Sequence, residues 1–125
     1  MIRVAIVEDN EDNRLLLRAL LEGEFEVAEY VDGPSAVAGI RAAVPDVVLL
    51  DISLPHMDGC QVLRALRDDT ATQAVPVVAL TAHAMSGDRE RFLEMGFDAY
   101  ITKPIVDEGV LFEAVRRLTT RSTSR

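Results

Sequence analysis

Apolar positions along the chain switch repeatedly between a strand-like and a helical rhythm. Ile2–Val7 is a compact apolar run, Phe25–Tyr30 alternates apolar and polar residues, and Asp46–Leu50 and Val75–Leu80 are nearly all apolar. Alternation marks a half-buried strand, and short continuous apolar runs mark strands buried on both faces. Asp98–Thr102 supplies a fifth strand.

Between these runs the spacing turns helical. Leu16, Leu17, Leu20 and Leu21 fall at helical intervals and form an expected core stripe that Gly23 closes. The stretch from Gly33 predicts a second helix whose end Pro45 marks. A third follows Gly59, with Val62, Leu63 and Leu66 facing inward. A fourth runs from Ser86 to Gly96 and a fifth from Ile105 to Leu118. Strands separated by single helices imply a parallel sheet covered by helices on both faces. The expected domain covers residues 1–121, and residues 122–125 close the chain as a polar, frayed tail.

Bulk numbers narrow the function. At 125 residues the chain fits one domain with a proper core. Its formal net charge of −8 argues against direct nucleic-acid binding, which needs Lys/Arg stripes. Cys60 is the only cysteine, so neither an internal disulfide nor a cysteine metal cluster can form. With no signal peptide or membrane-length apolar run in the sequence, a cytoplasmic location is expected.

Ligands of open α/β sheets bind beyond the carboxyl ends of the strands. There the first strand delivers Glu8 and Asp9, the third Asp51, the fourth Thr81, and the fifth Lys103. Asp51 follows four apolar residues, where a bare carboxylate is costly unless something uses it. Three converging carboxylates repel one another, and a hard divalent cation removes that cost. An oxygen-rich set without thiolates suits Mg²⁺. Mg²⁺ commonly shares its sites with a phosphate, whose remaining oxygens suit Lys103 and the Thr81 hydroxyl. Asp51 is then the candidate nucleophile, accepting a phosphoryl group as an aspartyl-phosphate.

Taken together, "VEDN", "DISLPHMDG", "ALTA" and "YITKP" make the chain resemble the receiver domain of two-component response regulators, whether stand-alone or attached to a hybrid kinase. The resemblance implies a flavodoxin-like, doubly wound (βα)5 fold with strand order 2-1-3-4-5. It implies that Asp51 takes a phosphoryl group from a phosphohistidine on a histidine kinase or phosphotransfer protein. Asp9, Asp51 and the Ser53 backbone carbonyl would ligate Mg²⁺, with Glu8 acting through water. Lys103 would pair with the phosphoryl group, and the Lys103–Pro104 bond would be cis. Thr81 would swing toward the phosphate while Tyr100 turns inward, and the small Ala82 would leave room for the donor. Ser53 and His83 would tune the lifetime of the phosphorylated state. The face built by helix 4, strand 5 and helix 5 would then change its affinity for a downstream protein, as a monomer or a phosphorylation-dependent dimer.

Plainer readings stand beside these. Glu8 and Asp9 could serve a helix N-terminus, Thr81 could be an N-cap, and Tyr100 could be core. Asp51 is hard to read as a cap, because Asp58 and Gly59 already start the next helix. His56 and His83 are too few for a zinc site, and Cys60 and Met57 read as packing residues. Leu15, with Asn10 and Asn13, either contacts the phosphodonor or is simply an exposed leucine. A Mg²⁺-dependent phosphohydrolase of the haloacid-dehalogenase type would place its nucleophile after the first strand and a second Asp two residues on. Here the residue two after Asp51 is Ser53. A flavin binder would need a phosphate loop where this chain has "EDNEDN".

Overall fold

The computed structural model describes residues 2–54, 56–82, 85–103 and 108–123, apart from the side chains of residue 108 and residues 120–123. Five strands and five helices alternate: β1 (Arg3–Val7), α1 (Glu11–Leu21), β2 (Glu26–Tyr30), α2 (Gly33–Ala42), β3 (Val47–Asp51), α3 (Gly59–Arg67), β4 (Val77–Thr81), α4 (Asp88–Met95), β5 (Ala99–Thr102) and α5 (Glu108–Thr123). All strand pairs are parallel, and the sheet order is β2-β1-β3-β4-β5. This is the flavodoxin-like, doubly wound arrangement expected from the sequence.

The two-residue period of the strands splits the core in two. Val4, Ile6, Leu49, Val78 and Leu80 face α1 and α5, where Leu17, Leu21, Leu111, Val115 and Leu118 cover them. Ala5, Val7, Val48, Leu50, Val77 and Ala79 face the other way, onto Ala36 and Ile40 of α2, Val62, Leu63 and Leu66 of α3, and Phe92 of α4. Each fully buried Leu or Val contributes about 1.5–3 kcal/mol, so β1, β3 and β4 form a stiff plank. Their carboxyl ends are where the site residues emerge.

Several boundaries differ from the sequence reading, each for a physical reason. Pro76 lacks an N–H, so β4 begins at Val77 rather than Val75, while the Pro76 carbonyl accepts from Val48 N at 2.9 Å. At the other end, Asp51 pairs with Leu80 and Thr81 with Thr102, so β3 and β4 each run one residue beyond the apolar stretches that end at Leu50 and Leu80. Leu16 is not core. It is 43% exposed, because the stripe facing the sheet is centred on Leu17 and Leu21. Thr81 does not cap α4. That helix starts at Asp88, after Gly87 at φ 86°, a left-handed conformation that suits glycine. α5 extends beyond Leu118 to Thr123, and the buried Thr119 hydroxyl donates to Val115 O at 2.8 Å.

The start of α3 is as expected. Asp58 accepts from Gln61 N at 2.9 Å, and the Gln61 side chain accepts from Asp58 N at 3.0 Å, a complete capping box. Met57 and Cys60 pack against the second core cluster. Burial pushes the Cys60 thiol pKa up, with nearby Asp58 adding to the shift, as befits a packing residue. Among the described residues no helix is long and apolar enough to cross a membrane.

Candidate functional site

β1 leaves the sheet at Val7, and the next residue, Glu8, is only 1% exposed. Its N–H donates to Tyr30 O at 3.1 Å, so the chain stays tied to β2 one residue beyond the strand. Asp9 follows on the surface. Asn10 then caps α1, accepting from Asn13 N at 3.0 Å. Its own N–H donates to Glu8 Oε2 at 3.2 Å. Leu15 is exposed on the same helix.

Asp51 ends the fully buried β3 and is 3% exposed. Its Oδ1 accepts from Ser53 N at 3.0 Å. The following turn is tight, with Gly59 N bonded to Ile52 O at 2.9 Å. A Cβ on Gly59 would come within 2.7 Å of the Asp51 carbonyl oxygen. Glycine is therefore required where α3 passes against the backbone that carries the carboxylate.

Lys103 closes the site from the last strand. Its Nζ lies 2.9 Å from Glu8 Oε1 and 3.3 Å from Asp51 Oδ2. Its backbone N–H donates to Thr81 O at 2.7 Å, which ties the lysine to the end of β4. Thr81 is buried and Ala82 is exposed at the rim. Burial opposes the Lys103 charge, but Glu8 and Asp51 outweigh it and hold the ammonium pKa above its ordinary value. Glu8 is also raised. Burial is the main cause and the neighbouring Asp51 adds to it, while Lys103 pulls the other way.

One carboxylate oxygen from each of Glu8, Asp9 and Asp51 lies within 4.8 Å of the other two. Two of these residues are buried and one is exposed, which leaves an approach from solvent. An all-oxygen donor set with surplus negative charge fits a hard divalent cation. The Asp51 oxygen bonded to Ser53 N and the one facing Lys103 are different atoms, so both oxygens of that carboxylate are oriented.

Tyr100 on β5 is half-buried and stacks on Phe92 of α4, with centroids 5.7 Å apart. Its hydroxyl is buried and has no hydrogen-bond partner among the described residues. Burial raises its pKa, and the Asp88 charge adds to this. The remaining sequence candidates, Pro104 and His83, lie outside the described residues, as does Pro55.

Two residues of this region were not singled out in the sequence. Arg14 Nη1 donates to the Glu8 carbonyl at 3.1 Å. Asp88, buried at the start of α4, accepts from Met85 N at 2.9 Å and pairs with Arg91 at 2.8 Å. The usable signal for Arg14 was its place in the first turn of a capped helix, from which a long side chain reaches back over the preceding loop.

Residues 4–116 match the response regulator receiver domain family, and the chain belongs to that family. It is 46% identical over 118 residues to the response regulator PleD of Caulobacter vibrioides. That match covers 94% of this chain and 26% of PleD, so the chain spans about a quarter of that relative's length. It is 45% identical over 103 residues to the polar-differentiation response regulator DivK of Brucella anthropi, covering 82% of this chain and 84% of DivK. The receiver domain of a sensor histidine kinase from Pseudomonas aeruginosa, described with a magnesium ion coordinated in its active-site cleft, superposes with a TM-score of 0.87. It is 32% identical, and the match covers 95% of this chain and 98% of that one. A Francisella response regulator receiver domain superposes with a TM-score of 0.90 at 25% identity, covering 98% of this chain and 100% of its own. The chain is a receiver domain of two-component signalling.

Proposed function

We propose that Asp51 is the phosphoacceptor of this receiver, charged by a phosphohistidine on a histidine kinase or histidine phosphotransfer protein. The observation that carries this reading is the Lys103 ammonium set between the buried Glu8 and Asp51 carboxylates, with Asp9 at their open side. An Asp51 oxygen attacks the phosphorus, an O–P bond forms, and the N–P bond to imidazole breaks. The imidazole leaves with that electron pair and is protonated from solvent.

Glu8, Asp9, Asp51 and the Ser53 carbonyl would hold Mg²⁺, which when bound offsets the charge of the carboxylates and of the phosphoryl oxygens. Ser53 N orients Asp51 for attack. Lys103 is close enough to pass from Asp51 to a phosphoryl oxygen once the carboxylate has become an acyl phosphate. Thr81, buried at the adjacent strand end, supplies a hydroxyl to the same group, and exposed Ala82 leaves the donor room. Ser53, exposed beside the site, and His83 would set how fast water removes the phosphoryl group. Asn10, Asn13 and exposed Leu15 on α1 form the face toward the donor.

The output is protein binding through the face formed by α4, β5 and α5. A groove of about 160 Å³ already lies there, lined by Arg89, Tyr100, Ile101, Val110, Glu113 and Arg117 among others. Movement of Tyr100 would reshape it. A single free cysteine suits a cytoplasmic setting. The likenesses to DivK and to a kinase-borne receiver support both a stand-alone and a hybrid-kinase context.

The test is intact-mass measurement after incubation with Mg²⁺ and a small acyl-phosphate donor. Wild type should gain one base-labile phosphoryl group and Asp51→Asn should gain none. An adduct that persists in Asp51→Asn would place the acceptor elsewhere.

A further inference from the structure

Glu8 is held at four points. Its N–H donates to Tyr30 O, its Oε1 accepts from Lys103, its Oε2 accepts from Asn10 N, and its carbonyl accepts from Arg14 Nη1. Asp9, one residue on, is exposed, and its carboxylate makes no hydrogen bond or ion pair among the described residues. The position of Asp9 is therefore set by the backbone that carries it. We propose that Arg14 is a positioning residue for the divalent-cation site, locking the Glu8–Asp9 peptide plane so that the Asp9 carboxylate points at the metal. This rests on the metal-binding reading given above.

The guanidinium is suited to the task. Arg14 lies in the first turn of α1, where its own N–H bonds Asn10 O at 3.0 Å. Its Nε pairs with Glu29 of β2 at 3.4 Å, and Glu29 is itself paired with Arg18. One edge of the planar fork is thus anchored to the sheet while Nη1 reaches the Glu8 carbonyl. A lysine has a single ammonium on a flexible stem and cannot hold both partners in a fixed geometry. The side chain is mostly buried, at 19% exposure, so this orientation is packed in place. Groups that orient metal ligands influence affinity although they never touch the ion.

Positioning and simple charge predict opposite signs. Arg14 is a cation near a cation site, so by Coulomb's law alone its removal would tighten Mg²⁺ binding. If Arg14 positions Asp9, its removal weakens binding.

The experiment compares wild type, Arg14→Lys and Arg14→Met by calorimetric titration with Mg²⁺ and by amide NMR of the metal-free proteins. Both variants should bind Mg²⁺ about tenfold more weakly than wild type. The Asp9 amide, whose peptide carbonyl is the one Arg14 grips, should shift even without metal. Arg14→Lys preserves the charge and carries the test should the methionine variant fail to fold. Binding equal to or tighter than wild type in Arg14→Lys, with an unmoved Asp9 amide, would overturn the proposal. If wild type itself takes up no Mg²⁺, the metal reading falls. The metal-free Asp9 shift then still decides whether Arg14 sets this turn.

Discussion

Lys103 Nζ donates to Glu8 Oε1 at 2.9 Å, joining residues 95 positions apart, and the same nitrogen lies 3.3 Å from Asp51. One cation, just past the end of β5, thus serves two buried carboxylates at the ends of β1 and β3, strands that β4 separates from β5 in the sheet. A pair buried this deeply is held by the surrounding strands and not by flexible surface contacts, so removing one partner has consequences for the whole rim.

Lys103→Met should therefore destabilise the metal-free protein by about 3 kcal/mol, because it leaves two carboxylates facing each other without their counter-ion. Part of that loss returns as Glu8 takes up a proton, since its pKa is already raised by burial and by Asp51. Mg²⁺ should stabilise the variant more than it stabilises wild type, because it supplies the compensating charge that Lys103 no longer does. Thermal unfolding in chelator and in Mg²⁺ measures both effects. Equal melting temperatures for the two proteins in chelator would contradict this account.

Gly59→Ala should be destabilising where Gly23→Ala is neutral. A Cβ at Gly59 would sit 2.7 Å from both Asp51 O and Ile52 Cα, which are backbone atoms that cannot rotate away, while Gly23 has nothing within 4 Å. Overpacking of this kind costs about 1–3 kcal/mol. Because the displaced backbone is that of Asp51, Gly59→Ala should also slow acceptance of the phosphoryl group from an acyl-phosphate donor. Denaturant unfolding and the rate of adduct formation check the two halves separately.

The architecture was legible because strand and helix periods differ so plainly in Val47–Leu50 and in the leucines of α1. The candidate cluster was legible because strand ends are its address, which singles out Glu8, Asp9, Asp51 and Lys103, the side chains that the structure brings together. What escaped has physical causes. Leu16 was misplaced because four leucines at helical spacing describe a stripe wider than the contact α1 makes with the sheet. The start of α4 was misplaced because it is set by a glycine at positive φ, not by periodicity. Arg14 is only half-legible: its place in the first turn of a capped helix shows that it can reach back over the loop, but a backbone carbonyl as its target leaves no mark in a sequence.

Arg67 illustrates the same blindness in the scaffold. From the end of α3 it donates to the carbonyls of Gln73, Val75 and Gly96 and pairs with Asp98, which in turn accepts from Val77 N at 2.8 Å. It therefore ties the α3–β4 loop to the α4–β5 loop. Arg67→Met should lower stability by about 3 kcal/mol, since hydrogen bonds to a charged donor are lost and partly buried carbonyls are left bare. Arg67→Lys should recover only part of this, because an ammonium cannot reproduce the fork. Denaturant midpoints for the two variants measure the difference. A full recovery in the lysine variant would show that charge alone matters here.

Tyr100→Phe should leave stability unchanged or raise it by about 1 kcal/mol, because a buried hydroxyl without a partner carries an uncompensated desolvation cost. The ring would keep its stacking on Phe92. The alkaline behaviour gives a second, independent check. Burial, with Asp88 nearby, raises the folded pKa of Tyr100 above its unfolded value, so the folded state keeps this proton where the unfolded state has begun to lose it. In that window the native state holds more protons, and stability falls as pH rises from the ordinary tyrosine value through the folded one. Tyr100→Phe should flatten this alkaline decline and remove the late component of the tyrosinate absorbance titration. An unchanged late component would mean that Tyr100 is not the shielded tyrosine. A clear loss of stability in the phenylalanine variant would mean that the hydroxyl has a hydrogen-bond partner in solution.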